Sequence, residues 1–262
     1  MGPAGLRRPR RARPAHRGAR VLRPRAAVEG LPGHRAAGRR PRQRPGRARR
    51  PGVTASTLVL WRHGQTPFNA ENRFQGQLDV PLDDVGRAQA AAAAAHLSAL
   101  PLDAVVSSDL VRAVDTATAL TSLTGLALTR DPALREVDAG EWQGLLGDEI
   151  ARRWPEEHAA WRRGADVRTG GGETRSELGA RVAGAVERHA AAVPGGGTLL
   201  VASHGAALKA GVLRLLGLPP TAGDAFAGLR NAHWAVLRRR SRAWALEEYN
   251  AGPAGARVGA EG

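Results

Sequence analysis

The sequence of 262 residues contains no cysteine, and Lys209 is its only lysine. The absence of cysteine excludes disulfide bonds and thiol chemistry, so folding does not depend on an oxidising compartment. No apolar run approaches the roughly 18 residues that a membrane-spanning helix needs. Residues 1–52 also lack the apolar core of a secretory signal. We therefore expect a cytoplasmic protein that does not interact with membranes.

Acidic residues are almost absent from one part of the chain, and this decides how the net charge of +15 is interpreted. Residues 1–50 hold 17 arginines and one glutamate, whereas the rest of the chain holds 22 basic and 23 acidic residues. A strongly basic chain suggests a nucleic-acid partner. Because the rest of the chain is close to neutral, only the N-terminal segment supports that hypothesis, and we do not expect nucleic acid to be the main partner.

Residues 1–52 are rich in Arg, Pro, Ala and Gly and have no hydrophobic period. Such a segment cannot bury enough apolar surface to offset its ordering entropy, so we predict that it is disordered. Three interpretations stay open: an RNA- or membrane-surface-binding tail, a processed extension, and a misplaced start codon, which we favour. The rest is predicted to form a globular domain over residues 53–250 and a flexible tail over residues 251–262.

The stretch Thr57–Trp61 is mostly apolar and rich in strand-forming residues, and it runs directly into Arg62, His63 and Gly64. An apolar run without alternation is typical of a parallel strand buried on both faces. Open α/β sheets bind ligands at the carboxyl ends of such strands. Arginine matches phosphate through a fixed fork of donors, and histidine can be a nucleophile near neutral pH. Taken alone, the motif fits a catalytic histidine and an ordinary strand-end histidine equally well.

The stretch Thr198–Ala202 repeats this order, because an apolar strand is followed by Ser203, His204 and Gly205 and then by a helical pattern. Two buried strands that each deliver a histidine to the same edge of a sheet are difficult to explain by core packing. We therefore predict that the two motifs together form a pocket for a phosphate or an oxyanion.

These motifs resemble those of the histidine phosphatase superfamily, also called the phosphoglycerate mutase-like family. The resemblance covers about residues 56–250, with its motifs in the family's order. Besides the two histidine motifs, it rests on Asn69, Arg73–Gly76, Ser108–Ala113 and Leu134–Glu136. It implies an α/β fold in the form of a three-layer α/β/α sandwich around a mostly parallel sheet.

The resemblance also implies hydrolysis of phosphate monoesters through a phosphohistidine. His63 would be the nucleophile, and Glu136 would transfer protons to the leaving group and from the attacking water. Arg62, Arg112 and His204 would clamp the phosphoryl group. These groups already supply positive charge and donors, so no metal and no cofactor is expected. The further substrate-binding residues that the resemblance implies are Asn69, Gln75 and Gly205.

Local patterns predict the surrounding elements. Asp83 or Asp84 would cap an alanine-rich helix that packs closely on the sheet. Ser108 with Asp109 would cap a helix over residues 110–124. The other predicted segments are strands at residues 104–107 and 126–129, one or two helices within 145–165, a helix ending near 192, and a C-terminal strand pair at 234–239 and 243–249.

The substrate is expected to be a small-molecule phosphate ester of the phosphoglycerate type. Gln75–Asp79, Ser107–Leu110 and Tyr249–Ala251 look most like the corresponding segments of actinobacterial superfamily members that act on glucosyl-3-phosphoglycerate. An arginine could bind the carboxylate of such an ester. The arginines considered for this role are Arg152, Arg153, Arg162, Arg163, Arg168 and Arg175.

Three alternatives to this substrate stay open: a broad-specificity acid phosphatase, a cofactor-dependent phosphoglycerate mutase and an arginine-tail nucleic-acid-binding protein. In true mutases the segment that corresponds to the interval between Glu136 and His204 is longer. This makes the mutase the weaker enzyme alternative. Dimers are common among the relatives that the resemblance implies, so a homodimer is also expected.

Overall fold

The computed structural model of the chain describes residue 2, residues 54–241 and residues 243–253. The predictions made for residues 1–52 and for the end of the C-terminal tail therefore lie almost entirely outside the described residues. The strands are β1 (Thr57–Arg62), β2 (Ala104–Ser107), β3 (Leu128–Arg130), β4 (Thr198–Ser203), β5 (Trp234–Arg240) and β6 (Ala243–Ala251). The α-helices are α1 (Pro67–Ala70), α2 (Asp84–Leu97), α3 (Val111–Thr124), α4 (Gly147–Arg153), α5 (Pro155–Arg162), α6 (Arg175–Ala192) and α7 (Gly205–Leu215).

These strands form one sheet with the order β3-β2-β4-β1-β5-β6. Strands β3, β2, β4 and β1 pair in parallel. The C-terminal hairpin β5-β6 completes the sheet with antiparallel pairing beside β1. The predicted mostly parallel sheet is therefore confirmed.

Side chains of β1 alternate between two apolar cores. Leu58 and Leu60 pack with residues of α6 and α7 on one face of the sheet. Val59 and Trp61 pack with residues of α2 and α3 on the other face. Each such fully buried side chain contributes about 1.5–3 kcal/mol of transfer free energy, which favours apolar residues at the middle positions of both central strands. Helices on both faces of one sheet confirm the predicted three-layer α/β/α sandwich.

Strands β1 and β4 lie side by side at the centre of the sheet, with Arg62 opposite Ser203. The ladder continues one residue further, because the N–H of His63 donates to the carbonyl oxygen of Ser203 at 3.0 Å. Parallel strands leave a sheet at the same edge. This register therefore brings His63 and His204 together.

The start of α2 packs closely against the loop that follows β1. Asp83 caps this helix, because its carboxylate accepts from the N–H of Gly86 at 2.7 Å. A Cβ atom added to Gly64 would lie 2.2 Å from the carbonyl oxygen of Gly86, and one added to Gly86 would lie 1.9 Å from that of Gln65. Only glycine allows this approach, which fixes the backbone on the C-terminal side of His63.

The capping of α3 differs from the prediction. Its N-cap is Leu110, which supplies no side-chain hydrogen bond, so the predicted cap of Ser108 with Asp109 is wrong. Asp79 caps the helix instead, because its Oδ1 accepts from the N–H of Val111 at 2.7 Å. The capping carboxylate comes from a loop 32 positions away in the sequence. Local spacing could not reveal it.

Several boundaries also differ from the predicted ones. Strand β3 covers Leu128–Arg130 and therefore begins two residues later than predicted. The region 145–165 holds two helices, as one of the two predicted possibilities had it: α4 ends at Arg153, and Pro155 begins α5. Strand β6 continues to Ala251, one residue beyond the predicted end of the domain.

Candidate active site

His63 and His204 lie next to each other at the carboxyl edge of the sheet. Their ring centroids are 5.2 Å apart, and the ring planes meet at 60°. Both side chains are buried. The structure thus brings together the two motifs that the sequence predicted to meet.

The tautomer of His63 is set by its own loop. Its Nδ1 lies 2.6 Å from the carbonyl oxygen of Gly64. A carbonyl oxygen only accepts hydrogen bonds, so Nδ1 carries the proton and Nε2 holds the lone pair. Burial lowers the pKa of His63 well below its usual value, and the charges of Arg112 and Arg62 lower it further. At neutral pH the ring is therefore a neutral imidazole with a nucleophilic Nε2.

His204 has the opposite tautomer. Arg112 Nε donates to His204 Nδ1 at 3.2 Å. A guanidinium only donates, so Nδ1 of His204 holds the lone pair and Nε2 carries the proton. This Nε2 is buried and has no partner among the described residues. Burial and then the charge of Arg112 lower the pKa of His204 well below its usual value, so the ring is a neutral donor suited to an anionic oxygen.

Arg112 is fully buried in the first turn of α3. Its Nη1 donates to the carbonyl oxygen of Leu78 and its Nη2 to that of Gly76, each at 2.7 Å. With the bond to His204, these contacts use three of the five guanidinium N–H groups and leave two. Burial lowers the pKa of Arg112 to about 10, so the group stays charged at neutral pH. A buried cation of this kind requires a nearby anion or several acceptors.

Arg62 lies at the end of β1, next to the first turn of α7. Its Nη1 donates to the carbonyl oxygen of Leu229 at 2.5 Å. A Cβ atom added to Gly205 would lie 3.3 Å from Nε and 3.4 Å from Cζ of Arg62. The missing side chain of Gly205 therefore lets the guanidinium pack against the start of the helix. A direct substrate contact by Gly205 stays a prediction.

Glu136 places its carboxylate at the N-terminus of α7. Its Oε1 accepts from the N–H groups of Ala207 at 2.8 Å and Val137 at 3.0 Å, and its Oε2 accepts from that of Ala206 at 3.1 Å. The first N–H groups of a helix have no partners within the helix and favour negative charge. Glu136 lines the same cleft as His63.

Asn69 and Gln75 lie on the loop after His63 and hold its shape. Asn69 forms a capping box with Thr66, because each accepts from the backbone N–H of the other at 3.2 Å. Gln75 Oε1 accepts from Thr66 Oγ1 at 2.9 Å, and Gln75 also lines the cleft. Asn231, which the sequence did not single out for the site, donates to Asn69 Oδ1 and to the carbonyl oxygen of His63, each at 3.1 Å.

One cleft of about 750 Å³ opens from these residues to the surface. The residues at its inner end are Arg62, His63, Gln75, Arg112 and Glu136. Those further out include Trp161, Arg175, Lys209, Leu213, Leu218 and Asp224. Of the six arginines considered for carboxylate recognition, Arg175 lines the cleft. The other five are exposed and lie outside it, so the structure does not bring them to the candidate site.

Arg181 supports the loop that carries Glu136. Its guanidinium donates to the carbonyl oxygens of Ala133, Arg135 and Glu136 at 2.9–3.1 Å. It also forms a bidentate ion pair with Glu173, with both N···O distances at 2.7 Å. The sequence does not reveal this pair, because an Arg in the middle of α6 has the same sequence pattern as any solvated helix residue.

Within residues 54–241 and 243–253, no group of three or more His, Asp and Glu side chains could hold a metal ion. None of the helices in these ranges is long and apolar enough to cross a membrane. Independence from metal ions stays a prediction.

The chain is similar to known proteins over most of its described length. The sequence matches the family model of the histidine phosphatase superfamily (branch 1) over residues 58–252. A glucosyl-3-phosphoglycerate phosphatase from Mycobacterium tuberculosis is 38% identical over 214 residues, which cover 76% of this chain and 96% of that protein. A 2,3-bisphosphoglycerate-dependent phosphoglycerate mutase from Mesorhizobium japonicum is 41% identical over 171 residues, which cover 62% of this chain and 82% of that protein.

The fold is also shared with solved structures. A mycobacterial glucosyl-3-phosphoglycerate phosphatase in complex with VO3 aligns with a TM-score of 0.72 at 40% identity, over 76% of this chain and 100% of that chain. The phosphoglycerate mutase-like fold expected from the sequence is therefore confirmed. The chain belongs to the histidine phosphatase superfamily.

Proposed function

We propose that this protein hydrolyses phosphate monoesters through a phosphohistidine formed on His63. The observation that carries the proposal is the complementary pair of tautomers. His63 offers a lone pair on Nε2, and the neighbouring His204 offers a proton on its Nε2. A nucleophile that lines the cleft and a buried donor for the phosphoryl oxygens thus lie side by side.

The phosphoryl group would be held by Arg62, Arg112 and the Nε2–H of His204. Transfer of a phosphoryl group depends mainly on positioning and on neutralising its oxygens. Each charge-assisted hydrogen bond can contribute about 1.5–3 kcal/mol. Arg112 is already fixed by its bonds to two loop carbonyls, so little reorganisation would accompany binding.

The first chemical step would be attack of His63 Nε2 on phosphorus. The P–N bond forms while the ester P–O bond breaks, and the leaving oxygen takes a proton from Glu136. In the second step the ionised Glu136 takes a proton from a water, whose oxygen bonds to phosphorus as the P–N bond breaks. The backbone bonds from Ala206 and Ala207 would keep the carboxylate in place during both transfers.

The nucleophile is tested by rapid-quench trapping with a ³²P-labelled ester. The parent chain should give an acid-labile phosphoenzyme, and His63→Ala should give neither phosphoenzyme nor turnover. Arg163→Met changes an exposed arginine outside the cleft and serves as the control. A phosphoenzyme that persists in His63→Ala would move the nucleophile to His204.

We propose glucosyl-3-phosphoglycerate, or an ester closely related to it, as the substrate. The cleft is much larger than a phosphoryl group and lies in the volume range of sites for whole organic ligands. The relative from Mycobacterium tuberculosis is named for this substrate and matches along 96% of its own length. The outer cleft combines cations with apolar residues, which suits an acid that also carries a sugar.

This substrate is distinguished from a broad range of esters by steady-state kinetics. We expect kcat/KM for glucosyl-3-phosphoglycerate to exceed that for 3-phosphoglycerate by at least ~10-fold, which corresponds to about 1.4 kcal/mol. Gln75→Ala should lower hydrolysis of both esters and of an aryl phosphate, because Gln75 lines the inner end of the cleft and accepts from Thr66 Oγ1. Equal values for the two esters would favour the broad-specificity acid phosphatase.

A phosphoglycerate mutase is the second candidate, because the relative from Mesorhizobium japonicum is 41% identical and carries that name. A mutase would convert 3-phosphoglycerate into 2-phosphoglycerate in the presence of 2,3-bisphosphoglycerate. A phosphatase releases inorganic phosphate instead. We expect phosphate release and no transfer, and ³¹P NMR of the same reaction distinguishes the two.

Activity is expected to survive EDTA, since Arg62, Arg112 and His204 would supply the positive charge and donors that a metal would otherwise provide. Restoration of a lost activity by Mg²⁺ or Zn²⁺ would contradict this mechanism. The cytoplasmic location, the homodimer and the absence of a nucleic-acid partner also stay predictions. Deletion of residues 1–52 should leave kcat unchanged if the N-terminal segment has no part in catalysis.

A further inference from the structure

We propose that Lys209 and Arg175 form a second anion subsite in the cleft, which binds a carboxylate carried by the phosphate ester. The proposal rests on the phosphatase function and identifies which part of the substrate the outer cleft recognises. The phosphoryl group would occupy the inner end beside His63, and the carboxylate would lie between the two cations.

Lys209 belongs to the stripe of α7 that lines the cleft. Ala206, Lys209, Ala210 and Leu213 all line it, at the three- and four-residue spacing of a single helix face. The N–H of Ala206 is one of the groups that hold Glu136. A rise of 1.5 Å per residue places Lys209 about 4.5 Å further along the helix axis than Ala206. The backbone of Lys209 thus lies within one turn of the residue that binds the Glu136 carboxylate.

Arg175 reaches the cleft from α6, of which it is the first residue. Its Nη2 donates to the carbonyl oxygen of Trp161 at 2.8 Å, and its Cζ lies 5.5 Å from the centre of the Trp161 ring. Helices α6 and α7 touch one turn later, where a Cβ atom added to Gly179 would lie 3.1 Å from the carbonyl oxygen of Ala210. The close packing of these two helices brings Arg175 and Lys209 to the same part of the cleft.

The two cations form no ion pair with any carboxylate of residues 54–241 and 243–253. Lys209 Nζ donates to the carbonyl oxygen of Phe226 at 2.7 Å, which uses one of its three N–H groups. Burial lowers the pKa of Lys209, and the charge of Arg175 lowers it further, whereas Asp224 raises it. The mutual repulsion of Lys209 and Arg175 would be relieved by an anion between them.

A carboxylate on a short carbon chain fits this arrangement. The planar fork of Arg175 matches the two oxygens of a carboxylate, and Lys209 adds a point charge. Because Lys209 is one turn from Ala206 in α7, we expect only a few bonds between the ester oxygen and the acid group. Of two otherwise similar esters, 3-phosphoglycerate has such a carboxylate and glycerol 3-phosphate lacks it.

The subsite is tested by calorimetric binding of these two esters to the full chain carrying His63→Ala, in which loss of the nucleophile prevents turnover. We expect 3-phosphoglycerate to bind at least ~10-fold more tightly than glycerol 3-phosphate, as one charge-assisted contact allows. Adding Lys209→Met, which keeps the apolar stem, should reduce the ratio to about 2-fold by weakening 3-phosphoglycerate alone. Lys209→Arg should restore most of the ratio, and Arg175→Met is a second variant that should lower it.

Arg163→Met is the matched control, because it removes an exposed arginine outside the cleft. If the chain carrying only His63→Ala bound both esters with equal affinity, the proposal would be overturned. Equal weakening of both esters by Lys209→Met would also overturn it, because that result means that the lysine only fixes the loop at Phe226. Hydrolysis of p-nitrophenyl phosphate by the parent chain tests the phosphatase function separately, so its failure would not be confused with failure of the subsite.

Discussion

Arg112 Nε donates to His204 Nδ1 at 3.2 Å, and this contact places the proton of His204 on Nε2. The carbonyl oxygen of Gly64 has the reverse effect on His63, because it holds the proton on Nδ1. Two histidines with similar sequence motifs therefore have different chemical properties. One is prepared to attack phosphorus and the other to donate a hydrogen bond.

The donor role of His204 predicts a graded effect of substitution. His204→Ala should lower kcat/KM about 10²–10³-fold, which is the range for loss of one donor to developing negative charge. His204→Gln offers an amide N–H in a similar position and should recover part of the loss. Steady-state kinetics on an aryl phosphate measures both variants. Equal activity of His204→Ala and the parent chain would contradict the role.

The two buried histidines also predict how stability depends on pH. Burial and nearby arginines hold the pKa values of His63 and His204 well below their usual value in the folded state. In the unfolded chain both rings take up protons near pH 6.5. Below that pH the unfolded state binds more protons than the folded state, so the free energy of unfolding falls as the pH is lowered.

Urea unfolding at several values between about pH 8 and pH 5 measures this dependence. The decrease should begin near pH 6.5 in the parent chain, and it should be shallower in His204→Gln, which has one buried titrating ring fewer. If the free energy of unfolding decreased equally steeply with falling pH in the two proteins, groups other than His204 would control stability at acid pH.

The sequence was sufficient to predict the two strands and the meeting of their histidines. Thr57–Trp61 and Thr198–Ala202 are buried on both faces of the sheet. Their continuous apolar sequences are therefore sufficient to identify them as central strands. The parallel register then places the following residues together without further information. For the same reason the predicted sheet and layers agree with the structure.

Contacts that depend on distant residues could not be predicted in this way. Asp79 caps α3 from another loop, and Arg181 binds three carbonyl oxygens almost fifty positions earlier in the chain. The arginines of α4 and α5 carry the positive charge expected for binding a substrate carboxylate, but they lie outside the cleft. Periodicity assigns a side chain to a helix face, but it does not tell which loop packs against that face.

Two glycine substitutions should have opposite effects on stability, one where α2 approaches the loop after His63 and one in the open interior of α6. Gly86→Ala would put a Cβ atom 1.9 Å from the carbonyl oxygen of Gln65, and relieving this overlap should cost about 1–3 kcal/mol or more. Gly184→Ala lies inside α6, where the nearest atom is 3.7 Å away, and should stabilise the chain by about 0.5–1 kcal/mol. Denaturant midpoints measure both. Little destabilisation in Gly86→Ala would show that the loop can move.

Arg181 predicts a loss of activity that depends on the leaving group. Its guanidinium holds the backbone of Ala133, Arg135 and Glu136 and pairs with Glu173. Arg181→Met keeps the stem but frees this loop, so Glu136 should be less well placed to protonate a leaving oxygen. An alkyl phosphate needs that proton, whereas p-nitrophenol leaves readily without it.

We therefore expect Arg181→Met to lower kcat/KM for an alkyl phosphate by ~10-fold or more, within the range of general acid catalysis, and to affect p-nitrophenyl phosphate much less. The ratio of the two values is the measurement, because kcat/KM reports the first phosphoryl transfer and not release of the phosphohistidine. Arg163→Met removes an exposed arginine outside the cleft and is the control. If Arg181 has only a structural role, Arg181→Met would lower both values equally. That result would show that Arg181 does not position Glu136.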